Sequence, residues 1–260
     1  MGKLTILSTG AGGTDYLTTE AHRALEEADV IVSYAKYAKE LKPLIDGKEL
    51  YTSGMTKEIE RCQQAIDHAR SGRTTCILSN GDVNVFGMAT LIVELIDTQG
   101  LWDEIELQSI AGVTAFLAAA SRVGAPISQD FAVVSLSDRL TDIAQIDRRV
   151  RLALEGDFVL GIYNPRSRKR TQPYRNLLAR LSETDERIAV IASNVGRPKE
   201  RITVTTTRDL IAQGLEHEEI TMSTLIIIGN TTTRLTANGQ VLTPRGYLNK
   251  YDLNGAIRAS

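Results

Sequence analysis

Cysteine is nearly absent from the chain, aromatic residues make up 5% of it, and tryptophan occurs once in 260 residues. Cys62 and Cys76 stand in no C-x-x-C spacing, which excludes a disulfide scaffold and leaves two inert thiols in a reducing compartment. The three histidines, His22, His68 and His217, lie far apart without clustered cysteines or carboxylates, so no metal site is expected. Neither charge dominates: 30 basic residues face 32 acidic ones, for a net charge of -2. That balance argues against a nucleic-acid binder working by bulk electrostatics. Trp102 and the scattered tyrosines offer no stacking platform for bases. No stretch approaches the roughly 20 apolar residues of a membrane span. The opening MGKLTILSTGAGG reads as a first β-strand rather than a signal peptide, so a cytoplasmic location is expected. Low-complexity tracts, heptads and solenoid periods are also missing.

The pattern that is present is a short β-branched run, a glycine-containing turn and a helical stretch, repeated. In the first half, strands are expected at Leu4 to Leu7, Val30 to Val32, Thr75 to Leu78 and Ile105 to Gln108. Helices are expected at Thr18 to Glu27, Tyr34 to Ile45, Lys57 to Arg70, Ala89 to Asp97 and Val113 to Ser121. The stretch RVGAPISQD at Arg122 to Asp130 interrupts this pattern, which places a boundary between domains 1–124 and 125–260. Beyond it strands are expected at Phe131 to Ser135, Phe158 to Tyr163, Ile188 to Ser193, Ile202 to Thr206 and Leu225 to Ile228. Helices fall between them at Thr141 to Leu154, Pro173 to Leu181 and Arg208 to Gln213. Asn238-Gly239 signals a two-residue hairpin, and the second domain reads as more antiparallel than the first.

Ligands of open α/β sheets bind outside the carboxyl ends of the strands, and three such loops in the first half contain glycine. Ser8-Thr9-Gly10-Ala11-Gly12-Gly13 follows the first strand, where glycines let main-chain N–H groups approach a ligand. It lacks the third glycine of a dinucleotide fingerprint, and Ser33-Tyr34-Ala35-Lys36 stands where an acidic ribose ligand would be expected. No Gly-Lys-Ser/Thr follows, so a P-loop is excluded. The second loop runs from Ser79 to Met88, and its Asp82 is suited to capping the next helix or to accepting from ligand hydroxyl or ammonium groups. The third, Ile110-Ala111-Gly112-Val113-Thr114-Ala115, begins a helix with small residues.

Together and in this order, the loops resemble those of the tetrapyrrole methylases that use S-adenosylmethionine. The likeness is strongest in the second half: Tyr163-Asn164-Pro165-Arg166-Ser167-Arg168-Lys169-Arg170, Phe131 to Asp138 and Thr243-Pro244-Arg245-Gly246-Tyr247 are similar to YNPRSRKR, DFAVISLSD and TPRGY elements. The branch they resemble methylates C17 of precorrin-3B or cobalt-factor III, with ring contraction, in corrin synthesis. The resemblance implies a two-domain α/β fold, with a mostly parallel N-terminal sheet, a mixed C-terminal sheet and the cofactor in the interdomain cleft of a homodimer subunit. Carried over by motif, the S-adenosylmethionine site comprises Ala11, Gly81, Asp82, Val85, Phe86, Thr114, Ala115, Tyr163, Asn164, Asn194, Val195, Ser223 and Thr224. Gly10, Gly12, Arg166, Arg168, Lys169 and Arg170 are assigned to the tetrapyrrole, whose carboxylates suit fork-shaped guanidinium groups. Asp82 and Asp15 are the candidates for proton transfer.

The departures from the family pattern fall in the first half. Where the family reads G-x-G-P-G-D, this chain has Gly12-Gly13 preceded by Ala11, without the proline and the acid. Val83-Asn84 replaces Pro-Gly, Phe86 replaces Tyr and Ala111 replaces Pro. Each lost proline raises loop entropy by about 0.4 to 1 kcal/mol, which predicts softer cofactor affinity. A non-catalytic homologue that binds the tetrapyrrole or the cofactor is the alternative from another functional class, and a nicotinamide-dependent oxidoreductase a third.

Overall fold

The computed structural model describes residues 1–258. The chain forms two compact units, Met1–Ala118 with Gly196–Pro198, and Ala119–Val195 with the chain from Lys199 onward. The sequence placed the change at 124/125, and the last two residues of its second domain lie outside those described.

Unit 1 carries five parallel strands, β1 (Gly2–Ser8), β2 (Val30–Tyr34), β3 (Glu49–Ser53), β4 (Thr74–Ser79) and β5 (Ile105–Ile110), in the order β3-β2-β4-β1-β5. Helices cover both faces, as a parallel sheet requires, and the central strands are therefore buried along nearly their whole length. On one side α4 (Glu58–Arg70) and α5 (Ala89–Gln99) pack Ile66 and Ile92 on Leu4, Ile6 and Ile77. On the other, α1 (Thr19–Glu27), α2 (Ala35–Glu40) and α3 (Lys42–Ile45) pack Leu25, Leu41 and Ile45 on Leu7, Ile31 and Leu78. The Thr18 hydroxyl caps α1 by accepting from the Ala21 N–H, and left-handed Gly100 ends α5. The expected helix Tyr34 to Ile45 is two short helices: Tyr34 closes β2, and Pro43 at the start of α3 cannot continue α2 because it lacks an N–H. Strand β3 was not anticipated, because it is an edge strand with mostly exposed residues and no apolar alternation.

Helix α6 (Ala115–Val123) contains the break between the units. Unit 2 then runs β6 (Gly124–Ala125), β7 (Phe131–Ser135), α7 (Ile143–Glu155), β8 (Val159–Tyr163), α8 (Gln172–Ser182), β9 (Ile188–Ser193) and β10 (Arg201–Thr206). It ends with α9 (Thr207–Gln213), β11 (Thr224–Ile228), β12 (Arg234–Leu235), β13 (Val241–Leu242) and α10 (Tyr247–Lys250). Its main sheet has the order β10-β9-β11-β8-β7, antiparallel except for the β7–β8 pair. Fully buried Tyr174 of α8 packs with Leu160, Ile162, Ile191 and Ile226 beneath it. A small sheet joins β12 and β13 to β6. The β12–β13 hairpin turns over the three residues 237–239 rather than the expected two, because Thr236 and Gln240 still pair: the Thr236 N–H donates to Gln240 O at 2.8 Å and the Thr236 hydroxyl accepts from the Gln240 N–H. Among the described residues no helix is long and apolar enough to cross a membrane.

Candidate functional site

Strands β4, β1 and β5 are neighbours, so the three glycine loops leave the unit 1 sheet side by side. Main-chain bonds lace them together. The Thr9 N–H donates to Ser79 O at 2.8 Å, the Gly10 N–H to Gly81 O at 3.1 Å, and the Gly81 N–H to Gly10 O at 2.7 Å. Gly10 and Gly81 hold φ of 71° and 70°, a region that favours glycine. Asp82 bridges the second and third loops: its Oδ2 accepts from the Gly112 N–H at 2.9 Å and its Oδ1 from the Asn84 N–H at 2.8 Å. It is not the cap of α5, whose N-cap is Met88. A Cβ on Gly112 would lie 2.4 Å from Ser8 Cβ and 2.6 Å from Gly81 O, so the third loop admits no side chain there. Ala11, Gly12 and Thr114 are buried in or beside these loops, Val85 is half-buried, and Phe86 is exposed with φ of 55°. Ala115 opens α6. Asp15 stands exposed on the short turn Thr14–Tyr16, and its side chain makes no hydrogen bond or ion pair among the described residues.

In unit 2 the strand ends are shaped by side chains. Asn164 after β8 and Asn194 after β9 adopt φ of 51° and 52°, a left-handed geometry that asparagine tolerates better than most residues. Asn164 Nδ2 donates to Ser135 Oγ at 3.0 Å, and the Asn194 N–H to Ser223 O at 3.3 Å. Val195 is buried, Ser223 exposed and Tyr163 half-buried. The Thr224 hydroxyl donates to Glu219 O at 2.8 Å and accepts from the Thr221 N–H at 3.0 Å. It therefore closes its own turn.

The basic run divides into two inward-bonded and two exposed side chains. Arg170 is 10% exposed and points inward, donating to Leu136 O, to Asn164 O at 2.9 Å and to Met222 Sδ, with Asp138 3.6 Å away. Arg166 donates to His217 O at 2.7 Å. Two of the four expected rim cations are thus committed to main-chain carbonyls, and Arg168 and Lys169 are the exposed pair. His217 is buried, and desolvation holds its imidazole below the ordinary value; Glu219 pulls it up and Arg166 pushes it down. Burial pushes both cysteine thiols up to about 12 and keeps them protonated. No group of three or more His, Cys, Asp or Glu among the described residues is placed to hold a metal ion.

The sequence profile of the "Tetrapyrrole (Corrin/Porphyrin) Methylases" matches residues 3–211. The chain is a tetrapyrrole methylase. It is 38% identical over 255 residues to the "Probable cobalt-factor III C(17)-methyltransferase" of Methanocaldococcus jannaschii, covering 96% of this chain and 100% of the relative. To the "Precorrin-3B C(17)-methyltransferase" of Sinorhizobium sp it is 36% identical, covering 95% and 97%. Some curated relatives are longer, and the chain spans 56% and 46% of two of them. Among solved structures, the methyltransferase CobJ superposes with a TM-score of 0.86 at 33% identity, covering 94% of this chain and 100% of that one. The uroporphyrin-III C-methyltransferase of Thermus thermophilus, complexed with S-adenyl homocysteine, shares the fold at a TM-score of 0.67 and 23% identity over 88% of this chain and 97% of that one.

One of the methylase's altered loops makes a hydrogen bond that the expected proline could not make. Val83 occupies the position of a family proline, and its N–H, which proline would lack, donates to the buried Ser8 hydroxyl at 2.9 Å. Sequence reading named Ser8 in the first loop and gave it no role, since a lone hydroxyl beside glycines carries no signal. The donor set fits an adenosyl sulfonium ligand. Three loops present main-chain groups at a sheet's carboxyl edge, and each Asp82 oxygen keeps acceptor capacity beyond the bond it already receives.

Proposed function

We propose that this methylase transfers a methyl group from S-adenosylmethionine to C17 of precorrin-3B or cobalt-factor III, with ring contraction, as a cytoplasmic homodimer. The observation that carries the reading is likeness over nearly the full length to proteins named for that reaction. The loop geometry supports it. Phe86, Asn164 and Asn194, all assigned to the cofactor, are three of the five non-glycine residues at positive φ among the described residues, and such conformations cluster where a site demands them.

When bound, S-adenosylmethionine supplies an already activated methyl group, so the chain's task is alignment and exclusion of water. Asp82, with Gly81, Val85, Phe86, Thr114 and Ala115, is assigned to hold it in unit 1. In unit 2, Tyr163, Asn164, Asn194, Val195, Ser223 and Thr224 are assigned the same role. Asp82 is tied to two N–H groups and fixed in place, whereas Asp15 is exposed; both stay candidates for the proton transfers of ring contraction. Gly10 and Gly12, with exposed Arg168 and Lys169, are assigned to the tetrapyrrole, and the two cations meet its carboxylates.

Incubation with labelled S-adenosylmethionine and either tetrapyrrole tests the reading by mass spectrometry. One labelled methyl group on the product is the expected result. Folded protein that binds S-adenosylhomocysteine but yields no methylated product would overturn the enzymatic reading in favour of a binding homologue. Arg168→Ala with Lys169→Ala should raise KM for the tetrapyrrole by about tenfold and leave cofactor affinity unchanged.

A further inference from the structure

The segment Gly196–Pro198 packs as part of unit 1 although the residues on either side of it belong to unit 2. Its central residue makes three polar contacts there. Arg197 Nε donates to Glu40 Oε1 at 2.9 Å, and its NH2 group donates both to Glu40 Oε2 at 3.1 Å and to Asn80 Oδ1 at 2.6 Å. The two paired side chains are only 16% and 23% exposed, so the bidentate fork is largely shielded from water. The stem of Arg197 lies directly on the first glycine loop: a Cβ on Gly12 would come within 2.7 Å of Arg197 Cγ and 2.9 Å of Gly196 O. Gly196 itself holds φ of 74°, and a Cβ there would meet the Tyr16 ring at 2.7 Å. The guanidinium thus ties α2, through Glu40, to Asn80 just beyond β4, while the stem of the same side chain lies against Gly12.

We propose that Arg197 is a positioning residue for the cofactor, acting through Asn80 on the loop that continues into Gly81 and Asp82. The proposal rests on the function proposed above, in which Gly81 and Asp82 hold the adenosyl ligand. Asn80 is the last residue before that pair, and Gly81 is locked to Gly10 by two main-chain bonds, so a shift of Asn80 is passed to both glycine loops. Lysine cannot replace the residue, because a single ammonium does not span two carboxylate oxygens and an amide oxygen in one plane.

A purely structural ion pair would change stability and leave the affinity of the folded protein alone. A positioning role makes a different prediction in a double-mutant cycle on the full chain, read by calorimetry with S-adenosylhomocysteine and by thermal melts. Arg197→Ala and Asn80→Ala should each weaken binding by about tenfold, and the double variant no further, since both break one connection. Arg197→Lys should not restore affinity. Unchanged affinity in folded Arg197→Ala, or fully additive losses, would overturn the proposal. Should Arg197→Ala fail to fold, Asn80→Ala retains the Arg197–Glu40 pair and decides alone: wild-type affinity in that variant overturns it. If wild-type protein does not bind S-adenosylhomocysteine, the proposed function falls, and this assignment with it; wild-type binding with intact affinity in the variants removes only the role of Arg197.

Discussion

The two units solve the same problem, holding irregular chain at the carboxyl ends of strands, with different materials. Unit 1 sets main chain against main chain, as in the Gly10–Gly81 pair, with glycines where a Cβ would collide, and its side chains Ser8 and Asp82 only accept from loop N–H groups. Unit 2 uses side chains: Arg170 ties Leu136 O to Asn164 O, and left-handed asparagines end β8 and β9. A main-chain lattice cannot be retuned residue by residue, because adding one side chain displaces backbone. A side-chain lattice can lose one member and relax.

That contrast predicts a ranking of damage. Gly112→Ala in unit 1 should have the largest effect, destabilising by about 3 kcal/mol in chemical denaturation and abolishing cofactor binding, since the methyl group meets Ser8 and the Gly81 carbonyl. A neutral outcome would show that the unit 1 loops give way more easily than main-chain lacing implies. Arg170→Ala in unit 2 should cost about 2 kcal/mol, because two carbonyls lose a charged donor. If it equals or exceeds Gly112→Ala, the ranking is broken. The smallest effect concerns His217. Its folded value lies below the ordinary 6.5, so as pH falls through that value the unfolded chain takes up the proton first. The stability due to the neutral imidazole is present above about pH 6.5 and declines below it until the folded value is reached. Thermal melts between about pH 7 and 5 should therefore show a falling Tm that His217→Gln flattens.

Much of this fold could be read along the chain. The β-branched runs of β1, β4, β8, β9 and β11 announce themselves because buried strands are continuously apolar, and glycines marked the unit 1 loops. What could not be read was the destination of polar groups. Four charges in five residues look alike whether they face water or fold back on carbonyls, and only the positions of Leu136 O, Asn164 O and His217 O turn Arg166 and Arg170 inward. Edge strand β3 and the short β6, β12 and β13 bury too little to leave a pattern. Asp82, with two plausible roles in the sequence, turned out to join loops that lie thirty residues apart.

The Ser8–Val83 hydrogen bond joins positions 75 residues apart, and it makes their identities interdependent. Restoring the family proline at Val83 alone would delete the donor and leave the buried Ser8 hydroxyl without its partner, so a change toward consensus would here be destabilising. Ser8→Gly alone would orphan the Val83 N–H. The two positions are therefore coupled, so that replacing both together should cost less stability than the two single replacements added.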